Sequence, residues 1–145
     1  MEVRQISAAE TIPIRHRVLR KNKAVETCYF TGDKDQNTFH LGVFFNAELA
    51  GICTLVKNNK EIHQDVFSHQ LRGMAVLEEY QGSHIGKTLM EFLPEFLTSK
   101  GIFQIWCNAR ISAVSFYQKF GFTTHGSEFN IPDVGPHRLM YKIYG

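Results

Sequence analysis

A chain of 145 residues is long enough to bury one sizeable core without disulfide or metal staples, and residues 1–145 are expected to form a single domain. With 43% hydrophobic and 21% charged residues, the composition excludes a disordered or membrane-embedded chain. The 16 Lys and Arg against 14 Asp and Glu give a net charge of +2, and they are scattered rather than gathered into a tract that could follow a nucleic-acid backbone, so no nucleic-acid partner is expected.

The opening MEVRQISAAE lacks the apolar core of a signal peptide, and no later apolar run is long enough to span a bilayer; a cytoplasmic location and no membrane partner are expected. Val3 to Ile6 reads as a short first strand. Ser7 is placed to cap a helix over Glu10 to about Leu19, in which Pro13 fits only near the start. Lys21 to Asn37 is polar and holds Gly32-Asp33, which predicts a loop with one helical turn. TFHLGVFF (Thr38 to Phe45) and LAGICTLVK (Leu49 to Lys57) are β-rich runs joined by Asn46-Ala47-Glu48, a hairpin with a short turn. After a polar connection, QLRGMAVL (Gln70 to Leu77) predicts a third long strand and completes an antiparallel meander.

The apolar period then changes. Ile85, Leu89, Phe92, Leu93 and Phe96 recur at helical spacing and Gly101 sits where a C-terminal cap belongs, which predicts a helix of about 14 residues with a kink at Pro94. IFQIWC (Ile102 to Cys107) is short and apolar, as a buried strand parallel to the third would be. A second helix spans Ser112 to Phe120, with Ala113, Phe116, Tyr117 and Phe120 on one side, and ends at Gly121. Phe122 to Thr124 and Arg138 to Tyr144 supply the last strands across a loop holding Pro132, Gly135 and Pro136. This order predicts an α+β fold with a mixed sheet and one central parallel pair. The cysteines, Cys28, Cys53 and Cys107, read as reduced buried thiols, and the spacing of His16, His63 and His69 suggests no metal site.

Between the third strand and the long helix lies Glu79-Tyr80-Gln81-Gly82-Ser83-His84-Ile85-Gly86-Lys87. A strand, a small-residue loop and a helix N-terminus leave backbone N–H groups unpaired, with the positive end of the helix dipole behind them: an anion site. Gly82 and Gly86 let the backbone approach a phosphate, Ser83 adds a hydroxyl and Lys87 a charge. A Walker loop is excluded because Gln81 stands where its first glycine belongs, and a dinucleotide fingerprint because the βαβ unit comes late, after a meander.

Here the chain resembles the GNAT superfamily of acyl-CoA-dependent N-acyltransferases. Gln81 and Gly86 match the ends of its Gln/Arg-x-x-Gly-x-Gly/Ala signature; LRGMAV precedes the loop, Ala113 to Tyr117 matches A-x-x-F-Y, and Lys119 to Phe122 matches K-F-G-F. His84 replaces the first signature glycine and is expected to offer its N–H from ordinary helical geometry. Arg110 stands where many members have asparagine, so the pantetheine contact is expected at Asn108.

The resemblance implies a GNAT-like mixed, mostly antiparallel sheet whose central parallel strands splay around the cofactor, with helices on both faces. It implies acetyl-CoA as co-substrate, held by Met74, Ala75, Val76, Gln81, Gly82, Ser83, His84, Ile85, Gly86, Lys87, Asn108 and Phe116. It makes Tyr117 the acid that protonates the leaving thiolate, against a residue-level reading of a core aromatic beside Phe116 and Phe120. Arg17, Glu128 and His137 are candidates for contact with the acceptor, expected to be a small-molecule amine, while Arg15, Arg17 and Arg20 cannot all share one helix face. The general base is open among Glu26, Asp65, Glu78, Glu79, Glu128 and His137, or water. An acyl-CoA-binding regulatory module and a protein N-acetyltransferase are the alternatives. A homodimer through the final strands is compatible with the fold.

Overall fold

The computed structural model describes residues 1–145. Its strands are β1 (Glu2–Ile6), β2 (Phe39–Phe45), β3 (Glu48–Ile62), β4 (Asp65–Val76), β5 (Gln104–Arg110), β6 (Thr123–Ile131) and β7 (Gly135–Ile143), and its α-helices are α1 (Ala8–Ile14), α2 (Ile85–Ser99) and α3 (Val114–Lys119). The strands form one mixed, mostly antiparallel sheet in the order β1-β2-β3-β4-β5-β7-β6, flanked by helices, with β4 and β5 as its parallel pair. The chain divides into two compact units, Met1–Lys57 with Leu71–Phe96 and Asn58–Gln70 with Leu97–Gly145. No helix is long and apolar enough to cross a membrane.

In the first unit, Ser7 and Glu10 cap α1 reciprocally: the Glu10 N–H donates to Ser7 Oγ at 3.2 Å and the Ser7 N–H to Glu10 Oε1 at 2.9 Å. Pro13 lies near the end of this seven-residue helix, not near its start as the sequence suggested. It is tolerated there because Pro13 and Ala9 are exposed, so the carbonyl that loses its i+4 donor faces water. The chain then widens into a π-turn over Arg15–Leu19, closed by the Arg20 N–H on the Arg15 carbonyl at 2.9 Å. The turn between β2 and β3 has two residues, Asn46 and Ala47, both left-handed (φ 52° and 65°), the geometry that matches strand twist. Ile6, Ile14, Ile52, Ala75 and Leu77 form one core cluster, covered by Val18, Leu19, Phe44, Leu49 and Tyr80.

The second unit corrects the expected polar connection before the third strand. β3 runs on to Ile62, turns tightly at His63-Gln64 (φ 51° and 69°), and β4 begins at Asp65. Asn58 to Glu61 are exposed and carry no apolar alternation, so only the ladder and the Trp106 Nε1 bond to the Asn58 carbonyl (2.8 Å) mark them as strand. Ile62, Phe67 and Trp106 pack with Leu139 and Tyr141 as a second core. The parallel ladder of β4 and β5 holds two residue pairs, His69↔Ile105 and Gln70↔Trp106, and stops there.

The long helix appears as expected and runs through Pro94 to Ser99. Gly101 (φ 70°) closes it: its N–H donates to the Thr98 carbonyl at 3.1 Å and the Ile102 N–H to the Leu97 carbonyl at 2.9 Å. Because Ile102 serves this cap, β5 begins at Gln104, two residues later than predicted. The last hairpin is longer than predicted at both strands. β6 is an edge strand of mostly exposed residues, with a bulge between His125 and Phe129, so its polar sequence gives no burial signal.

Candidate active site

The end of β4 leads into a single 3₁₀ turn, Glu78–Tyr80, and then the loop Gln81–His84 before α2. The helix start is anchored by burial of Ile85 (1% exposed) and Leu89 (0% exposed). It lies so close to β3 that a Cβ on Gly51 would clash with Ile85 Cγ2. The Ser83 N–H bonds to the Tyr80 carbonyl (3.1 Å) and the Thr88 N–H to the His84 carbonyl (3.0 Å). Between them the N–H groups of His84, Ile85, Gly86 and Lys87 have no backbone acceptor, and neither does that of Gly82. Gln81, Gly82, His84 and Lys87 are exposed, and Ser83 and Gly86 half-buried, so these donors open to solvent.

His84 does not take the expected helical geometry. Its φ is +65°, the left-handed conformation that the replaced glycine would adopt at little cost, and Gly82, two residues earlier, stands at +86°. Left-handed residues of this kind occur in the backbone nests that bind anions. The Thr88 hydroxyl, donating to the His84 carbonyl at 2.8 Å, fixes the loop to the first helical turn.

A second charged group of the first unit is built around Arg15, which is fully buried at 0% exposed. Its Nη1 donates to Asp33 Oδ2 (2.6 Å) and the Cys28 carbonyl (2.9 Å), and its Nη2 to Asp33 Oδ1 (3.1 Å) and Thr54 Oγ1 (2.9 Å). His40 closes the network: Nε2 donates to the Asp33 carbonyl and Nδ1 meets the Thr54 hydroxyl, both at 2.8 Å. Burial alone would raise the Asp33 carboxyl, but hydrogen bonds from Arg15 and the Phe30 N–H, with the Arg15 charge, hold it below its ordinary value. The Arg15 guanidinium also stacks on Phe30 at 3.9 Å. Arg15 is therefore a structural residue that pins the 21–37 loop.

Of the other arginines in that segment, Arg17 is exposed and donates to both Glu79 oxygens at 3.0 and 3.3 Å, tying the π-turn to the cradle loop. The Glu79 backbone N–H, and then Arg17, keep that carboxyl below its ordinary value. A cavity of about 330 Å³ opens alongside, lined by His16, Arg17, Val18, Lys21, Asn22, Leu77 and Glu78. Glu26 is exposed and forms no ion pair. Met74, Ala75 and Val76 close β4, with Ala75 buried and the other two half-buried.

In the second unit, Tyr117 lies on the inner side of α3, 7% exposed, with ring contacts to Phe116 and Phe122 at 5.4 Å each. The reading of Tyr117 as a core aromatic holds for its ring. Phe116 is half-buried against Phe120, and Asn108 is exposed on β5 opposite Leu139. Glu128 is exposed within the β6 bulge. His137 is buried with Nδ1 on the Gly135 carbonyl at 2.7 Å, an acceptor that requires the proton on Nδ1. Asp65 is exposed at the start of β4. Burial pushes the thiols of Cys53 and Cys107 up to about 12, so neither is a nucleophile at neutral pH. No group of three or more His, Cys, Asp or Glu side chains is gathered as a metal site.

Gly73 was not singled out by its sequence context, although a glycine inside an apolar strand is a signal for a bulge. It is left-handed (φ 63°) and packs on the Arg15 and Phe30 cluster, where a Cβ would come within 3.4 Å of the Phe30 ring. Phe30 and Asp33 carry no local sequence signal, because their partner Arg15 is 15 and 18 residues away.

The strand order, the short parallel ladder and the strand–loop–helix cradle together define an acyltransferase fold. The model of the acetyltransferase (GNAT) domain matches residues 17–133, and this chain belongs to that family. It is 37% identical over 142 residues to the uncharacterised N-acetyltransferase YitI of Bacillus subtilis, covering 98% of this chain and 95% of YitI. ElaA of Escherichia coli superposes with a TM-score of 0.76 at 19% identity, over 97% of this chain and 98% of ElaA. An aminoglycoside 6'-N-acetyltransferase crystallised with coenzyme A superposes with a TM-score of 0.75 at 12% identity, over 99% of this chain and 97% of that one.

Proposed function

We propose that residues 1–145 act as one cytoplasmic N-acetyltransferase domain that moves the acetyl group of acetyl-CoA to the primary amine of a small molecule. The observation that carries this reading is the cradle: unpaired N–H groups at Gly82, His84, Ile85, Gly86 and Lys87, aligned with the positive end of α2 and joined by the Lys87 charge. A pyrophosphate supplies the acceptors that these donors lack. Gln81 and Ser83 flank it, the backbone of Met74, Ala75 and Val76 takes the pantetheine arm, and the family resemblance adds Asn108 and Phe116 as coenzyme A contacts.

In this mechanism the amine nitrogen attacks the thioester carbonyl carbon directly, within a ternary complex. A backbone N–H of β4 stabilises the oxyanion, the C–S bond breaks, and its electron pair stays on sulfur. Tyr117 donates its phenolic proton to the thiolate, and the proton lost by the amine passes to water. Glu78 and Glu79 follow the end of β4 at the pyrophosphate end of this arrangement, which removes them from contention as the base.

The test is release of free thiol from acetyl-CoA in the presence of a panel of amines. Turnover on free amines is expected. Coenzyme A binding with no thiol release would make the protein a binding module, and release with peptides alone would make it a protein acetyltransferase. Tyr117→Phe is expected to lower turnover about 10²-fold while leaving coenzyme A affinity nearly intact; an unchanged rate removes Tyr117 as the acid.

A further inference from the structure

Three guanidiniums converge on the single ring of Phe30: Arg15 at 3.9 Å, Arg72 at 4.3 Å and Arg20 at 5.8 Å from its centroid. Only Arg15 has a carboxylate partner, Asp33, and that pair is sealed in the interior. Arg20 and Arg72 are half-buried and form no ion pair. Burial, and then the charge of Arg15, lower the Arg72 guanidinium from its ordinary value, and the more distant Asp33 charge offsets this only in part. Three positive charges against one negative leave a local excess of two. Unneutralised arginines that keep their donors free, on a rigid aromatic support, are suited to a planar or tetrahedral oxyanion.

Their position relative to the cradle says which molecule brings that anion. Coenzyme A is linear, with its pyrophosphate at one end of the pantetheine arm and its sulfur at the other. With the pyrophosphate at Gly82–Lys87 and the arm along the last residues of β4, the sulfur lies toward Gly73. At about 3.3 Å per residue, Gly73 stands about 13 Å up the strand from Leu77. Gly73 is the residue whose Cβ position touches Phe30 and Arg15, and Arg72 is its neighbour in sequence. The Arg20–Phe30–Arg72 group therefore sits at the thioester end, where an acceptor is required and no part of coenzyme A carries charge.

We infer that Arg72 and Arg20, supported by Phe30, bind an anionic group of the acceptor, so that the substrate is a small molecule bearing a carboxylate or phosphate in addition to its amine. This rests on the acetyltransfer reading above. Arg15 keeps the platform in place through Asp33 and contacts no substrate.

The experiment compares three acceptors of equal length: an ω-amino carboxylate, the corresponding aminoalkyl phosphate and the corresponding neutral ω-amino amide. For the wild type, kcat/KM is expected to be at least about tenfold higher for one of the anionic amines than for the amide, and which of the two is preferred tells carboxylate from phosphate. Arg72→Gln and, separately, Arg20→Gln should shrink that preference toward unity through KM. In parallel, the melting temperature is followed with succinate or inorganic phosphate, which bind without reacting. A saturable rise that disappears in Arg72→Gln upholds the anion site even if no amine releases thiol, in which case only the acetyltransfer reading fails. Thiol release that is equal for all three acceptors, with no saturable effect of either anion, overturns the site while leaving acetyl transfer intact. A wild-type preference that survives both substitutions overturns it as well.

Discussion

The Arg15 network and the Gly82–Lys87 cradle both concentrate polar groups in the first unit, and they treat them in opposite ways. Around Arg15, a fully buried cation is paired with Asp33, the Cys28 carbonyl and Thr54 accept further guanidinium hydrogen bonds, and His40 braces Thr54. Around His84, several backbone donors are left without acceptors and open to solvent. The first arrangement pairs its charge within the protein, with Arg15 Nε alone left without a partner, and its value is structural. The second leaves a row of backbone donors of the kind that suits an anion. Pairing of charge within the protein, more than residue type, marks a residue that holds the fold.

Breaking the buried ion pair should have the largest effect. Asp33→Ala leaves the Arg15 charge buried and unpaired and is expected to cost about 3–5 kcal/mol, read from chemical denaturation. A double change to Arg15→Met with Asp33→Leu should recover much of that loss; equal instability of both variants would mean that shape, not charge pairing, holds the loop. Because the Asp33 carboxyl is held below its ordinary value, its contribution is present above the ordinary carboxylate range and is lost as the pH falls through the lowered value. The difference between wild type and Asp33→Ala should therefore narrow in acid.

Breaking the unsaturated site should leave stability alone and act on affinity. Gly86→Asp puts a side chain and a negative charge among the donors and is expected to weaken coenzyme A binding by at least about tenfold, measured by calorimetric titration. An unaltered dissociation constant would place the pyrophosphate elsewhere. The smallest effect belongs to His84→Gly. Relief of the left-handed φ outweighs glycine's greater freedom in the unfolded chain by about 1 kcal/mol or less, so the melting temperature should rise by a few degrees with affinity retained. A fall in melting temperature would show that the His84 side chain contributes contacts that outweigh its backbone conformation.

The same contrast explains what the sequence disclosed. Ser7, the turn at Asn46-Ala47, the Ile85–Leu89 stripe and Gly101 act through neighbours a few residues away, and each was legible. The succession of strand, loop and helix start before Ile85 was legible for the same reason, since its parts are contiguous. His84 was misread because nothing in its type forecasts a positive φ; that conformation is imposed by the loop around it. Asn58 to Glu61 and the β6 edge were missed because strands without a buried face carry no period-two pattern. Arg15 with Asp33, and Phe30 with Arg72, join segments 18 and 42 residues apart, and no local pattern reports such a pairing.

The most direct measurement is an amide NMR titration of the protein with coenzyme A. The largest changes in N–H shift are expected at Gly82, His84, Ile85, Gly86 and Lys87, with the Arg15 and Asp33 amides nearly still. Saturable binding that leaves those five amides unmoved would contradict the cradle.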